Sequence, residues 1–246
     1  MALKAAPEDQ ALLLDLQAFD TKLAQLDHRA KSLPELATLA GFAKDADALR
    51  LTLGEQNGAL EDVKIELKRI ESDVEVVETR IARDTERLQG SSSVKDVSAL
   101  EQELTALRKR LGDLEEIELT VMEKLDEQQT LVNNTSAALD ALRARAAEVE
   151  TERDAALGSI AAERTTAAAG RAEVEAKVPA ELLALYERQR ARYGTGASLL
   201  RGGVSLASGV KLLENEMQAI RAAAPDDVIM CASSEAILVR TGESGL

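Results

Sequence analysis

The side chains able to do chemistry in this sequence are few and scattered. Cys231 is its only cysteine and His28 its only histidine, so few nucleophile–base pairs could be assembled. Cys231 opens Cys-Ala-Ser-Ser, and Ser234 stands where a Cys-x-x-Cys pair would carry its second thiol. A lone cysteine rules out an intramolecular disulfide and suggests a reducing compartment. His28 lies between Asp27 and Arg29 and reads as a solvated residue on a charged helix face. The stretch Gly194-Thr-Gly196-Ala-Ser-Leu lacks the third glycine of a dinucleotide-binding turn, and no phosphate-cradling Gly-x-x-x-x-Gly-Lys-Ser/Thr occurs, so these glycines read as a connecting loop. Carboxylate pairs such as Glu115-Glu116 fall on an open helix surface, where nothing would shift a pKa or hold a substrate. The expectation is a protein that is not an enzyme.

Charge and composition narrow the alternatives. The aromatics are Phe19, Phe42, Tyr186 and Tyr193, with no tryptophan, so large core-filling side chains are nearly absent. Ala, Leu, Glu, Arg and Lys dominate, as in long helices and coiled coils. The formal net charge is −14. Residues 180–246 are almost balanced, seven basic against eight acidic, while the preceding chain carries 23 against 36. So acidic a segment repels phosphate and is a poor general binder of nucleic acid. The start MALKAAPEDQ lacks the apolar run of a signal peptide, and no stretch approaches 18 uninterrupted apolar residues, which predicts a soluble, cytoplasmic protein with no membrane partner.

Apolar spacing sets out the elements. Leu60, Val63, Leu67, Ile70, Val74, Val77, Ile81 and Leu88 alternate steps of three and four, with Asp84 the one polar interruption, which is a heptad seam. The pattern breaks at Gly90-Ser91-Ser92-Ser93 and resumes at Leu100, Leu104, Leu107, Leu111 and Leu114, continuing through Val121, Leu125 and, less cleanly, Leu139. Two such helices joined by a tight polar loop fold back antiparallel, each covering the other's stripe. The spacing thus predicts a mainly α protein built on a long antiparallel coiled-coil hairpin over residues 1–179, its tip near 90–95. The ascending arm breaks near Pro34, because proline fits a helix's first turn and not its interior. Gly54 and Gly58 mark a second weak point. A short helix follows at about 181–192.

From Tyr193 the texture changes to loops, a short helix within 211–224, a turn at Pro225-Asp226-Asp227, and two β-prone runs, Val228–Cys231 and Ala236–Arg240, forming a small hairpin. Residues 180–246 read as a connecting helix and a compact α+β head. About 50 residues is marginal for an independent core, so Val204, Leu206, Val210, Leu212, Leu213, Met217, Ile220, Val228, Ile229, Ile237 and Val239 should hold it together while it leans on the base of the arms.

These features resemble a family of bacterial proteins in which a long coiled-coil hairpin precedes a C4-type zinc ribbon, especially its actinobacterial members. The likeness rests on Arg87-Leu-Gln-Gly90 and Val94–Glu101 at the tip, on Leu114–Glu123 beyond it, and on Ala219–Val228 and Ile237–Thr241 in the head. The resemblance implies two Cys-x-x-Cys knuckles, one falling on Ser205-Leu-Ala-Ser208 and the other on Cys231-Ala-Ser-Ser234. Here Ser205, Ser208 and Ser234 replace three of the four thiols. A structural zinc site needs four thiolate or imidazole ligands, so zinc is expected to be lost, Cys231 to be a vestigial ligand, and the head to need no cofactor.

Two functions remain in view. The preferred expectation is a non-enzymatic scaffold or adaptor that meets protein partners through the hairpin tip, at Lys95 and Asp96, and through the head between Tyr193 and Arg201. The alternative is RNA or DNA binding, which zinc ribbons commonly serve. Arg188, Arg190, Arg192 and Arg201 would then meet phosphates, and Tyr186 and Tyr193 would stack on bases.

Overall fold

A computed structural model describes residues 3–246. Five helices and five short strands follow in order: α1 (Pro7–Lys31), α2 (Pro34–Gly90), α3 (Val94–Glu175), α4 (Ala180–Tyr193), β1 (Ala197–Arg201), β2 (Val204–Ser205), β3 (Val210–Lys211), α5 (Glu214–Ala222), β4 (Ile229–Met230) and β5 (Ile237–Val239). The protein is mainly α, a long helical hairpin with a small strand-containing head. Pro7 and Pro34 each open a helix, because their missing N–H falls where no intrahelical partner exists. α1 carries Glu8 and Asp9 in its first turn and His28, Arg29 and Lys31 in its last, which complements the helix dipole.

The chain divides into two compact units, one spanning Glu35–Thr151 and the other joining the chain up to Pro34 with Glu152–Leu246. In the first, α2 turns at Ser91–Ser93 into α3. Leu60, Ile70, Leu100, Leu104, Leu114, Val121 and Leu139 are buried along the seam, and Arg80 on α2 bonds Glu103 on α3. The expected weakness at Gly54 and Gly58 does not appear, since α2 is continuous through both. Each costs about 1 kcal/mol relative to alanine, and one seam-packed helix absorbs both.

In the second unit, α1 lies along the last part of α3. Leu26, Leu33 and Ile160 form one buried cluster, rimmed by Lys22 and Arg29 on Glu163 and by Arg164 on Asp27. The strands form one sheet in the order β3-β2-β1-β5-β4. Only the β1–β5 pair is parallel. β1 and β2 are joined by Gly202 and Gly203 alone, both at positive φ, the backbone that a two-residue hairpin loop requires. β4 and β5 pair as the expected hairpin, Ile229 with Leu238 and Met230 with Ile237.

Helices cover both faces of the sheet. Ala197, Ile237 and Val239 pack with Leu13, Leu16, Leu182 and Tyr186 from α1 and α4. Leu200 and Leu238 point the other way, into a core with Leu212, Met217, Ile220 and Cys231. β5 is therefore buried at three successive residues, the pattern of a strand covered on both sides. Each fully buried leucine or isoleucine contributes about 1.5–3 kcal/mol. Leu206, Val210 and Leu213, expected in this core, instead lie 54%, 53% and 65% exposed. Leu206 lies in the loop after β2 and Val210 in the edge strand β3, while Leu213 stands at the N-cap of α5.

Candidate functional site

The head is fastened through a polar joint centred on Asp20. Its Oδ2 accepts a hydrogen bond from Tyr186 Oη at 2.6 Å. Its Oδ1 accepts from Arg171 Nε at 2.7 Å and from Arg190 at 3.0 Å. Glu187 bonds both arginines in turn, and Arg171 also reaches Glu175. Burial, reinforced by the Asp20 acceptor, pushes the Tyr186 hydroxyl well above its ordinary range, so it stays a donor. For Arg171 burial works against the charge, but Asp20 and Glu187 outweigh it and hold the guanidinium protonated. One turn earlier on α1, Gln17 Oε1 accepts from the backbone N–H of Gly196 at 2.7 Å and of Ala197 at 3.3 Å. Residues from α1, α3 and α4 thereby fix where β1 begins.

A second cluster gathers hydroxyls around the only thiol. Cys231 directly follows β4 and is 1% exposed. Its Sγ lies 3.2 Å from Ser233 Oγ, and Ser233 Oγ donates to Ser208 Oγ at 3.2 Å. Ser205 and Ser234 also favour the thiolate, although Ser234 Oγ is buried with no hydrogen-bond partner of its own, while Ser205 shares a 3.2 Å bond with Ser198. Glu235, the one non-glycine residue at positive φ among those described, turns the chain from this knuckle into β5. The four positions singled out in the sequence thus converge, with Ser233 as an addition that Cys-x-x-Cys spacing does not signal. Burial pushes the Cys231 thiol up, but the surrounding hydroxyls and the Ser233 backbone outweigh it and bring it down to about 7.

This donor set does not fit zinc. One thiol and three neutral hydroxyls are not the four thiolate or imidazole ligands of a structural site. Among the described residues no three His, Cys, Asp or Glu side chains gather to hold a metal. The thiolate nevertheless links the head to pH. Because the folded state releases this proton more readily than an unfolded thiol near 8.5, the linked stability is complete above that value and is lost as pH falls through about 7. Stability against urea should rise for the wild type across about pH 6.5 to 9 and stay flat for Cys231→Ala; equal slopes would refute the linkage.

The proposed binding residues fare unequally. Arg190 is spent on Asp20 and Glu187, and Tyr186 is fully buried, so neither faces a ligand. Arg201 pairs with Glu243 at 3.1 Å on the surface. Arg188 is exposed. Arg192 stacks over the ring of Tyr193 at 5.2 Å, and Tyr193 is 43% exposed. Lys95 is exposed in the first turn of α3. Arg240, which the sequence did not single out for this role, is the head's clamp. Its guanidinium donates to the carbonyls of Ala223, Ala224, Pro225 and Asp227 at 2.7 to 3.2 Å, binding the end of α5 to β5. No sequence pattern announces such carbonyl capping.

A heptad-seamed helical hairpin bearing a small sheet defines a coiled-coil hairpin protein. Residues 16–194 match the CT398-like coiled coil hairpin domain, and the chain belongs to that family. An uncharacterized protein of Mycobacterium tuberculosis is 34% identical over 239 residues, covering 97% of this chain and 98% of the relative. A solved structure from Mycobacterium smegmatis is similar with a TM-score of 0.88 at 33% identity, over 97% of this chain and all of that one. The CT398 structure from Chlamydia trachomatis shares the fold with a TM-score of 0.66 at 19% identity, over 94% and 97% of the two chains. The family match covers the hairpin and α4, while the sheet lies beyond it, so it does not bear on the zinc-ribbon likeness. No enzymatic family is indicated. No helix among the described residues is long and apolar enough to cross a membrane.

Proposed function

We propose that this protein is a non-enzymatic scaffold or adaptor that meets protein partners through its hairpin and through a metal-free, ribbon-like head. One observation carries the reading: Leu206, Val210 and Leu213 stand more than half exposed on the head, while other apolar residues of the head pack on both faces of its sheet. Leu206 also lines an open groove of about 610 Å³ between α1 and β1, with Leu14, Ala18, Leu199 and Ala207. Clustered exposed apolar residues mark interaction surfaces. The hairpin adds to the reading, since Leu51, Ile65, Val76 and Leu119 stand more than half exposed on its outer faces.

Photo-crosslinking in cells from position 206, with position 95 at the tip as a second probe, tests the proposal. The expected result is a discrete crosslinked protein from one or both positions; crosslinks no stronger than those from a mid-hairpin site would overturn it. The nucleic-acid alternative draws on Arg188 and the Arg192–Tyr193 stack. It requires a salt-sensitive gel shift that Arg188→Ala and Arg192→Ala weaken together. The metal-free head predicts zinc well below stoichiometry by elemental analysis of purified protein, and one zinc per chain would refute it.

A further inference from the structure

Asp84 interrupts the α2 seam, and its side chain is 1% exposed. Arg87 donates to its Oδ1 at 3.2 Å. Arg83 Nε lies 3.8 Å from Oδ1 and Arg80 Nε 3.8 Å from Oδ2. Oδ2 accepts no hydrogen bond although it lies beyond the reach of solvent. All three guanidinium groups belong to α2 itself, within one turn of Asp84. They accompany the carboxylate whether or not α3 is docked, so none of them is a partner that Asp84 gains by docking. Closing the seam therefore takes a carboxylate out of water at a cost, and none of the ion pairs or hydrogen bonds described for Asp84 comes from α3. A leucine in the same place would gain from closing. Across the seam this end is held by Arg80 on Glu103 and by buried Leu100 and Leu104, and by little else. Leu88 and Val97 are only half-buried, and Val94, just past the three-serine turn, is 87% exposed.

We propose that Asp84 makes the distal end of the hairpin, from Ile81 through the turn to Leu104, a separately opening segment. It parts from itself while the seam at Leu60–Ile70 and Leu114–Val121 stays closed. Opening rehydrates Asp84 without breaking its arginine contacts and uncovers Ile81, Leu88, Val97 and Leu100, an apolar surface present only in the open form. The inference rests on the burial and partners of Asp84 and does not depend on the proposed scaffold role.

Native-state hydrogen exchange on the full chain tests it. In the wild type, amides of 84–104 should exchange faster than those of 60–77 and 107–125. Asp84→Leu should slow the distal amides by about tenfold or more while changing the flanking ones by less than about twofold. Arg87→Ala removes the one hydrogen-bond donor to the buried carboxylate, which matters most when water is excluded, and should speed distal exchange. Unchanged distal exchange in Asp84→Leu, or slowing spread evenly along the hairpin, would overturn the proposal.

Discussion

Gly196→Ala is expected to be among the most damaging single substitutions in the head. A β-carbon at position 196 would stand 2.5 to 2.9 Å from three atoms of the Tyr186 ring, well inside van der Waals contact. Neither side can yield easily. Tyr186 is fully buried and tied through its hydroxyl to Asp20. The backbone N–H of Gly196 is held by Gln17, and its carbonyl accepts from Ile237 N at 2.9 Å. Relief requires moving the start of β1, and with it the parallel β1–β5 register. Overpacking of this kind costs about 3 kcal/mol, which should lower the thermal midpoint of the head by about 10 °C. Circular dichroism across the transition checks it. A midpoint within about 2 °C of wild type would mean that the ring has room the geometry denies.

Asp20→Ala should act on the same joint by a different route. The substitution leaves Tyr186 Oη with only the 3.4 Å contact to Gln17, and it removes the carboxylate between two guanidinium groups. Arg171, whose side chain is 16% exposed, keeps Glu175 and Glu187 but loses its most buried partner. Breaking a buried pair by deleting one member costs about 3–5 kcal/mol. Arg171 retains other partners and Arg190 can reach solvent, so a loss near the lower figure is expected, read from the urea midpoint. Asp20→Asn keeps an acceptor without the charge and should lose about half as much. An unchanged midpoint in Asp20→Ala would show that the joint adds no stability.

The two substitutions also show which parts of this protein can be read from its sequence. The hairpin was legible because heptad spacing is a local signal: Leu60 to Leu88 and Leu100 to Leu125 specify a stripe, and the serines between them specify the turn. Pro34 marked a helix start and Pro7 marked another in the structure, both by the same steric rule. The tight pairing of β4 and β5 was legible for a similar reason. β1 was not, because Ala197–Arg201 is a short run bounded by glycines whose strand character depends on parallel pairing with residues forty positions later. Arg190 read as a free cation because its partners, Asp20 and Glu187, include one 170 residues away. The convergence of Ser205, Ser208, Cys231 and Ser234 was foreseen through family likeness, whereas Ser233 and the lowered thiol depend on how the knuckles meet.

The union of the chain's first helix with its last strands also bears on how the protein is made. Leu13 and Leu16 are covered by Val178, Tyr186, Ile237 and Val239, and the backbone N–H of Ala5 bonds Asp226 O at 2.8 Å. On a ribosome, α1 emerges more than 160 residues before the first of those covering side chains. At about 5–20 residues per second this interval is roughly 8–33 s. The Glu35–Thr151 hairpin can close during that wait, since both its arms are already synthesised, whereas α1 must keep an uncovered apolar face until the residues of α4 and β5 emerge. During that interval the leucines of α1 stay open to any chaperone that binds exposed apolar side chains.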